Sequence, residues 1–196
     1  MSRAVTLALG GGGVKGNAHL GVLQVLGQHG FEVAGIAGTS AGGLWGGLFA
    51  AGLSIDQILE QANQLDYHEA YRRLPDDHPS WMGVAGLRQV LLDLIGERTF
   101  EDLTLPLSVT AVDLDTAELI AIRSGKVIDA ILATIAVPGV FPPAHYDGRL
   151  LVDGGVLSPV PVELARSLAP DLPVVAVVLS PPIEHWSRAS KPRLMD

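Results

Sequence analysis

Short apolar runs and helical periodicity alternate through the first third of the chain. Residues 4–9 form an apolar run that ends at four consecutive glycines, which predicts a buried strand followed by a tight turn. A second strand is predicted over residues 31–37 and a second helix over residues 41–51. The first helix, which ends at Gly30, is expected to turn four side chains inward: Leu20, Leu23, Val25 and Leu26. This strand–helix–strand–helix order is typical of a parallel sheet with helical crossovers.

The pattern is less regular beyond residue 53. Residues 54–57, Ser-Ile-Asp-Gln, form a capping box that predicts the start of a third helix. Residues 105–113 and 117–122 alternate well enough to predict a strand pair, and Asp-Gly at 147–148 predicts a hairpin turn. The remaining predictions are helices at 86–95, 127–134 and 162–168, buried strands at 150–152 and 174–179, and a surface excursion at 66–81.

Together these elements predict an α/β fold of three layers, with helices on both sides of a central, mostly parallel sheet. The chain has 196 residues, of which 48% are hydrophobic and 17% charged. This composition excludes a disordered chain, and the length predicts one domain. We expect that domain over residues 1–180 and a polar, frayed tail over residues 181–196.

Charge and composition exclude several classes of function. The net charge of −8 repels a phosphate backbone, so we expect no nucleic-acid partner. The absence of cysteine excludes a thiolate metal site and a cysteine nucleophile, and no histidine spacing suggests a metal site. The apolar run at 4–9 is too short for a secretory signal, so we expect a cytoplasmic protein. Residues 33–55 carry no charge, but their seven glycines favour a buried strand, turn and helix over a membrane span.

The glycine loop is the first candidate for chemistry. Gly11, Gly13 and Gly16 follow a strand and open a helix, which matches the dinucleotide-binding fingerprint. That fingerprint needs an acidic residue at the end of the second strand, whereas Glu32 is at its start. Lys15 precedes Gly16, so the phosphate-binding Walker pattern fails as well. The sequence therefore predicts a cluster of backbone N–H donors suited to a phosphate or a transient oxyanion. A tight turn that binds no ligand is the alternative.

The second candidate is Ser40, which lies within Gly-Thr-Ser-Ala-Gly at residues 38–42, between a strand and a helix. This is the placement of a nucleophile elbow, where a serine occupies a sharp strand-to-helix turn. A serine that only caps the helix is the alternative. The nearby glycine loop favours catalysis, because it offers N–H donors for an oxyanion.

A nucleophilic serine needs a base to take its proton. Asp153 is the stronger candidate, since it ends an apolar strand, and the carboxyl ends of strands carry the sites of open α/β sheets. A Ser40–Asp153–His185 order would suit an α/β-hydrolase triad, but His185 lies in the polar tail. None of the six histidines is part of a motif: His19, His29, His68, His78, His145 and His185.

Three motifs in this order, at residues 11–16, 38–42 and 153–155, resemble the patatin-like phospholipase family. Residues 133–143, which end in Val-Phe-Pro-Pro, are similar to that family's segment before Asp-Gly-Gly. The resemblance covers residues 5–180 and implies a patatin-like catalytic domain there. The chain is shorter than the resemblance leads us to expect, so we expect the family's usual C-terminal helices, which bear on the lid and one wall of the substrate pocket, to be missing or cut away.

The resemblance implies a carboxylic ester hydrolase of the phospholipase A, lysophospholipase or lipid esterase type. It implies a Ser40–Asp153 dyad without histidine, an acyl-enzyme intermediate and no metal or organic cofactor. It implies an oxyanion hole at Gly11, Gly12 and Gly13, with motif support from Lys15, Gly16, Gly38, Gly42, Gly154 and Gly155. The expected partner is a lipid or acyl-ester substrate. A lipid substrate is compatible with transient, peripheral contact with a membrane surface. Apolar residues that could make this contact are Trp81, Met82, Val140 and Phe141. The alternative is that these four side chains belong to the core.

Overall fold

The computed structural model describes residues 3–75 and 80–179, and these residues build one sheet with helices on both faces. The strands are β1 (Arg3–Leu9), β2 (Phe31–Gly38), β3 (Leu107–Asp113), β4 (Leu119–Ile122), β5 (Ala144–Tyr146), β6 (Arg149–Asp153) and β7 (Val174–Val177). The α-helices are α1 (Ala18–Gln28), α2 (Ala41–Ala50), α3 (Ile55–Gln64), α4 (Tyr67–Ala70), α5 (Ala85–Ile95), α6 (Val127–Thr134) and α7 (Val162–Leu168). Short 3₁₀ helices cover Gly13–Asn17, Phe100–Asp102 and Gly154–Val156.

The strand order within the described residues is β5-β6-β3-β2-β1-β7, with β4 also paired to β3. β7, β1, β2 and β3 run parallel, whereas β4 and β6 are antiparallel to β3 and β5 is antiparallel to β6. The α/β fold predicted from the sequence, with a central sheet of mostly parallel strands, is confirmed.

Successive side chains of the central strands point to opposite faces of the sheet, and each face has its own hydrophobic core. In β1, Leu7 and Leu9 join the large cluster that includes α2, α5 and α6, while Ala8 points to the other face. There Ala8 packs with Ala37 of β2 and Ala165 of α7, and all three are fully buried. Small residues on this face let α7 approach the sheet closely, and the result is three layers.

Local chemistry accounts for several element boundaries. The predicted capping box forms: Gln57 N–H donates to Ser54 Oγ at 3.2 Å, and Ser54 N–H donates to Gln57 Oε1 at 2.9 Å. Gly96 ends α5 with a φ of 61°. At the β5–β6 hairpin, Asp147 and Gly148 have φ values of 49° and 73°, as a type I′ turn requires.

Three predictions differ from the structure. Val25 is 52% exposed rather than inward-facing, because α1 covers the core with only one side, through Leu20 and Leu23. The last strand ends at Val177 and is only partly buried, since within the described residues it pairs with β1 alone. The excursion at 66–81 contains the short helix α4, whose Ala70 is buried. The predicted tail at 181–196 lies outside the described residues.

Residues 33–55 fold as most of β2, the whole of α2 and the turn that follows it. Within the residues that the structure describes, no helix combines the length and apolar character needed to cross a bilayer. Most of residues 35–51 are buried, which agrees with the interpretation of this uncharged segment as protein core.

Candidate active site

The register of the sheet places the ends of three strands at one level. Leu9 of β1 pairs with Gly38 of β2, and Gly38 pairs with Val109 of β3. Ser40 follows two residues after Gly38, and Asp153 at the end of β6 pairs with Ala111, two residues after Val109. The glycine loop, the serine and the aspartate, which are far apart in sequence, therefore lie along the same edge of the sheet.

Asp153 reaches this edge of the sheet at the end of an antiparallel strand. β6 runs antiparallel to β3, so its carboxyl end should point away from the carboxyl ends of β1 and β2. β3 extends beyond the end of β2, however, and β6 pairs only with this extension, from Ala111 to Asp113. Asp153 therefore ends its strand near the level of Ser40, although that strand is antiparallel to β3.

Ser40 occupies a strained turn between β2 and α2. Its φ and ψ are 54° and −124°, outside the regions that L-residues ordinarily adopt. Ser40 holds the N-cap position of α2, yet its side chain makes no capping hydrogen bond. Its backbone N–H instead donates to Thr134 Oγ1 at 2.9 Å. The simple capping role is therefore not the role of this hydroxyl, which lies at the positive end of the α2 dipole.

Glycine is required on both sides of Ser40. A Cβ at Gly38 would lie 2.5 Å from Gly43 Cα, and a Cβ at Gly42 would lie 2.0 Å from the Leu9 carbonyl oxygen. Both neighbours are backbone atoms that cannot move aside alone. The two glycines thus let the turn pack directly against β1 and the start of α2.

Asp153 is a buried acid that contacts Ser40. It is 4% exposed, and its Oδ1 accepts the Gly155 N–H at 2.7 Å. Burial raises the pKa of the Asp153 carboxyl above its ordinary value, while hydrogen bonds from the Ser40 side chain and the Gly155 N–H act in the opposite direction. A raised pKa makes a carboxylate a better proton acceptor than a solvated one.

A buried threonine pair supports the floor of the site. Thr39 Oγ1 and Thr110 Oγ1 are 2.7 Å apart, and Thr39 Oγ1 also donates to the Ser158 carbonyl at 2.9 Å. Gly154 packs so closely that a Cβ there would lie 2.1 Å from Thr110 Oγ1. The residue after Asp153 must therefore be glycine for the carboxylate to stay in place.

The glycine loop lies directly against Ser40. A Cβ at Gly11 would be 3.3 Å from Ser40 Cβ, and a Cβ at Gly16 would be 2.5 Å from Ala41 Cβ. Gly13 has a φ of 54° and begins a 3₁₀ helix that is closed by a bond from the Lys15 N–H to the Gly12 carbonyl. The loop therefore passes within van der Waals distance of the serine.

The three glycines expected to form an oxyanion hole are not equivalent. The Gly11 N–H already donates to the Pro159 carbonyl at 2.9 Å. Gly12 is the N-cap of the 3₁₀ helix and Gly13 its first residue, so the helix itself cannot accept their N–H groups. This difference favours Gly12 and Gly13 over Gly11 as oxyanion donors. Lys15 is exposed beside them.

The structure also bears on the alternatives. Glu32 lies at the start of β2, at the opposite end from the glycine loop, so the dinucleotide fingerprint remains incomplete. His185 and His78 lie outside the described residues. Of the other histidines, His29 caps the end of α1 and bonds to the Val25 carbonyl, His68 lines the cavity beside the site, and His145 is in β5.

A cavity of about 740 Å³ opens beside Ser40. It follows α2 from Ala41 to Leu48 and is closed by α3, α5 and the loop after α6. Within the described residues no Asp, Glu, Lys or Arg lines it; its polar side chains are Asn17, Ser40, Gln61, His68 and the two tyrosines Tyr67 and Tyr71. Such a cavity suits an apolar ligand whose reactive end lies at Ser40.

Sequence reasoning did not find the residues that support the two candidate catalytic groups. Thr134 is 94 residues from the serine whose N–H it accepts, and Ser158 is 119 residues from Thr39. His19 is fully buried and bonds the Gly10 carbonyl, although it looks like any other helical histidine in the sequence. No motif in the sequence marks His19.

Comparisons with known proteins relate the sequence of this chain to one family. The family model for patatin-like phospholipase matches residues 7–166. An uncharacterized NTE family protein of Mycobacterium tuberculosis is 38% identical over 182 residues, which are 91% of this chain and 50% of the relative. A patatin-like phospholipase domain-containing protein of Caenorhabditis elegans is 34% identical over 84% of this chain and 13% of its own length. The chain thus spans half or less of these relatives.

A solved structure has a similar fold. VipD from Legionella pneumophila superimposes with a TM-score of 0.61 at 14% identity, over 95% of this chain and 52% of that one. At this identity the likeness concerns the arrangement of strands and helices alone.

Proposed function

Because this chain belongs to the patatin-like phospholipase family, we propose that it is a serine acyl hydrolase that cleaves lipid esters with a Ser40–Asp153 dyad. The placement of Ser40 and the buried Asp153 carboxyl together at one edge of the sheet is the observation that carries the proposal. Phospholipase A, lysophospholipase and lipid esterase activities are all compatible with this chemistry.

The reaction proceeds in two halves. In the first half, Asp153 takes the Ser40 hydroxyl proton as Ser40 Oγ attacks the ester carbonyl carbon. The tetrahedral intermediate collapses, the carbon–oxygen bond to the alcohol breaks, and Asp153 returns its proton to the leaving alkoxide. In the second half, Asp153 deprotonates a water that attacks the acyl-enzyme, and the same proton then restores the serine as the fatty acid departs.

The glycine loop stabilises the negative oxygen of both tetrahedral intermediates. The N–H groups of Gly12 and Gly13 serve as donors, and the N-terminus of α2 adds its dipole. Each such donor typically contributes on the order of 3 kcal/mol to the barrier. Lys15 is exposed at the same loop, where it either stabilises the conformation of the loop or binds an anionic lipid head group.

The cavity holds the acyl chain. Ser40 and Leu48 are separated by two turns of α2, so the wall between them is about 12 Å long. Leu48, Ile58 and Leu91 line this cavity and are at most 3% exposed, so they form its deep end. An apolar tail can lie against this wall while its ester group stays at the serine.

The mouth of the cavity supports transient contact with a lipid surface. Val14, Tyr67 and Trp81 line the cavity and are 88%, 56% and 80% exposed. Exposed apolar side chains around a lipid-binding cavity suit the boundary of a bilayer, and tryptophan favours that boundary. Val140 and Phe141, in contrast, are half-buried, and Phe141 packs on Tyr71 with ring centroids 5.2 Å apart.

Ester hydrolysis and fluorophosphonate labelling test the dyad. Ser40→Ala should abolish labelling, and both Ser40→Ala and Asp153→Asn should lower kcat by about 10⁴-fold or more. Ser54→Ala and Asp113→Asn are the matched controls, since Ser54 is also an N-cap and Asp113 is also a buried sheet carboxylate. Undiminished hydrolysis by Ser40→Ala would refute the proposal.

The same variants separate the two alternatives. Activity that survives in Asp153→Asn but is lost in His185→Ala would indicate a Ser-Asp-His triad of the α/β-hydrolase type. Calorimetric titration with NAD or FAD tests the nucleotide-binding alternative, for which the hydrolase proposal predicts no heat of binding.

Sedimentation with phosphatidylcholine vesicles tests the lipid contact. Trp81→Ser should reduce the bound fraction, whereas Val25→Ser, which removes another exposed apolar side chain far from the cavity, should not. Equal vesicle binding by wild type and Trp81→Ser would contradict a role for this rim.

A further inference from the structure

We propose that His19 is a positioning residue that holds the glycine loop in the shape needed for oxyanion binding, by donating a hydrogen bond to the Gly10 carbonyl. Only the expected effect of His19 on the rate of hydrolysis rests on the proposed hydrolase function. The structural part, that His19 orders the loop, stands on the contacts of the loop itself.

His19 is a buried imidazole with one partner. It lies in the first turn of α1, is fully buried, and its Nε2 is 2.7 Å from the Gly10 carbonyl oxygen. A carbonyl can only accept, so Nε2 carries the proton and Nδ1 is the bare nitrogen. Nδ1 is also buried, and it has no hydrogen-bond partner among the described residues.

An imidazole in this position is costly, because a buried nitrogen without a partner loses its hydration. Burial also lowers the pKa of His19, and only the bond to Gly10 opposes that shift, so the ring is held neutral. An apolar side chain of the same size would avoid the unpaired nitrogen. The Nε2–H bond to Gly10 is therefore the feature that this side chain supplies to the fold.

That bond completes a clamp on one peptide unit. The peptide between Gly10 and Gly11 is held at its carbonyl by His19 and at its N–H by the Pro159 carbonyl, at 2.9 Å. Because a peptide unit is planar, two bonds at opposite ends fix its orientation. Four consecutive glycines rotate more freely than other residues, so the loop needs such an external anchor. The fixed orientation of this peptide in turn determines how the next residues of the loop, Gly12 and Gly13, are oriented.

The clamped carbonyl also touches the serine elbow. A Cβ at Gly42 would lie 2.9 Å from the Gly10 carbonyl oxygen, so this oxygen lies against the first turn of α2. Gly11 in turn lies against Ser40, with 3.3 Å between its Cβ position and Ser40 Cβ. A rotation of the Gly10–Gly11 peptide would therefore displace the donors relative to the nucleophile.

His19→Gln and His19→Met form a matched pair that tests the clamp. The two side chains have similar length and volume, but only the glutamine amide can donate to the Gly10 carbonyl. We expect kcat within about 3-fold of wild type for His19→Gln and about 10- to 100-fold lower for His19→Met, with KM unchanged in both. A purely packing role predicts equal kcat values for the two variants, and that result would overturn the proposal.

Hydrogen exchange followed by mass spectrometry tests the clamp without relying on activity. The peptide that contains residues 10–13 should exchange faster in His19→Met than in wild type and His19→Gln. An inactive wild-type protein would contradict the proposed function, while the exchange comparison would still decide the role of His19. Unchanged exchange in His19→Met would overturn that role.

The tautomer of wild-type His19 provides a measurement that needs no variant, should His19→Met fail to fold. Nitrogen-15 NMR of the ring should show a protonated Nε2 and a bare Nδ1. A ring protonated at Nδ1 alone could not donate to Gly10 and would refute the clamp.

Discussion

Replacing Ser40 separates the chemical use of its hydroxyl from the conformational cost of its position. Ser40→Ala and Ser40→Gly both remove the oxygen that acts as nucleophile in the proposed mechanism, so both should be inactive. They differ in backbone preference, because Ser40 adopts a φ of 54° and a ψ of −124°. An alanine keeps the Cβ that makes this conformation unfavourable, whereas a glycine does not.

The magnitude follows from two opposing effects. A non-glycine residue in a sparsely populated region costs about 1–3 kcal/mol. Glycine adopts this conformation without that cost. It also increases the conformational entropy of the unfolded chain, which lowers the free energy of unfolding by about 0.4–1 kcal/mol. Ser40→Gly should therefore be more stable to unfolding than Ser40→Ala by about 1 kcal/mol. For a chain of this length the difference corresponds to a rise in Tm of about 2–4 °C.

Urea unfolding of the two variants, monitored by circular dichroism, measures the difference directly. Ala117→Gly is the matched control, because Ala117 also has a positive φ, 56°, but lies in the turn between β3 and β4. It should gain stability while keeping its activity. A Ser40→Ala variant as stable as Ser40→Gly would show that the elbow holds no strain, and the argument from its dihedral angles would fail.

Three further predictions concern the acid, the elbow glycines and the cavity. Asp153→Asn should be more stable than wild type at pH 7, although inactive. The pKa of wild-type Asp153 is raised in the folded protein, so the stability that its protonated form contributes is present below pH 3.8 and is lost as pH rises through the folded pKa. Asparagine stays neutral and does not lose this contribution. The advantage should shrink towards pH 4 in urea titrations, and an advantage that grows on acidification would contradict the shift. For the same reason, wild-type kcat/KM should fall as pH drops through that pKa. Gly42→Ala should unfold the protein or lower its Tm sharply, because the new Cβ would lie 2.0 Å from the Leu9 carbonyl oxygen. The control is Gly21→Ala on α1, where a Cβ would lie in open space and should stabilise the protein by about 1 kcal/mol. Similar Tm values for the two variants would refute the close packing at Gly42. Leu48→Phe should slow hydrolysis of long-chain p-nitrophenyl esters but not of the butyrate, and an equal effect on both would place the acyl chain elsewhere.

Much of the site could be predicted from local sequence because its glycines are needed for local reasons. Gly38 and Gly42 flank a turn that admits no side chains, and the loop at 11–16 must approach that turn closely. Such requirements leave short motifs at fixed spacing. The capping box at 54–57 and the hairpin at 147–148 were predictable on the same grounds, since each is satisfied by neighbouring residues.

The interactions that orient those groups were not predictable, because they join distant parts of the chain. Thr134 reaches the Ser40 N–H from the end of α6, and the Pro159 carbonyl occupies the Gly11 N–H from the loop before α7. No pattern in the sequence ranks one threonine or one carbonyl above another. The exposure of Val25 is similar, since it depends on which side of α1 faces the core.

The amino-acid sequence alone determined the order of elements, the layers of the fold and the short motifs that contain Ser40 and Asp153, because periodicity and turn chemistry are properties of neighbouring residues. Tertiary structure decided how those motifs meet. The offset between β2 and β3 lets an antiparallel strand bring Asp153 to the level of Ser40, and a long-range hydrogen bond to the Pro159 carbonyl occupies the N–H of Gly11. Register and long-range hydrogen bonds arise only when the whole sheet assembles, so no segment of the chain encodes them by itself.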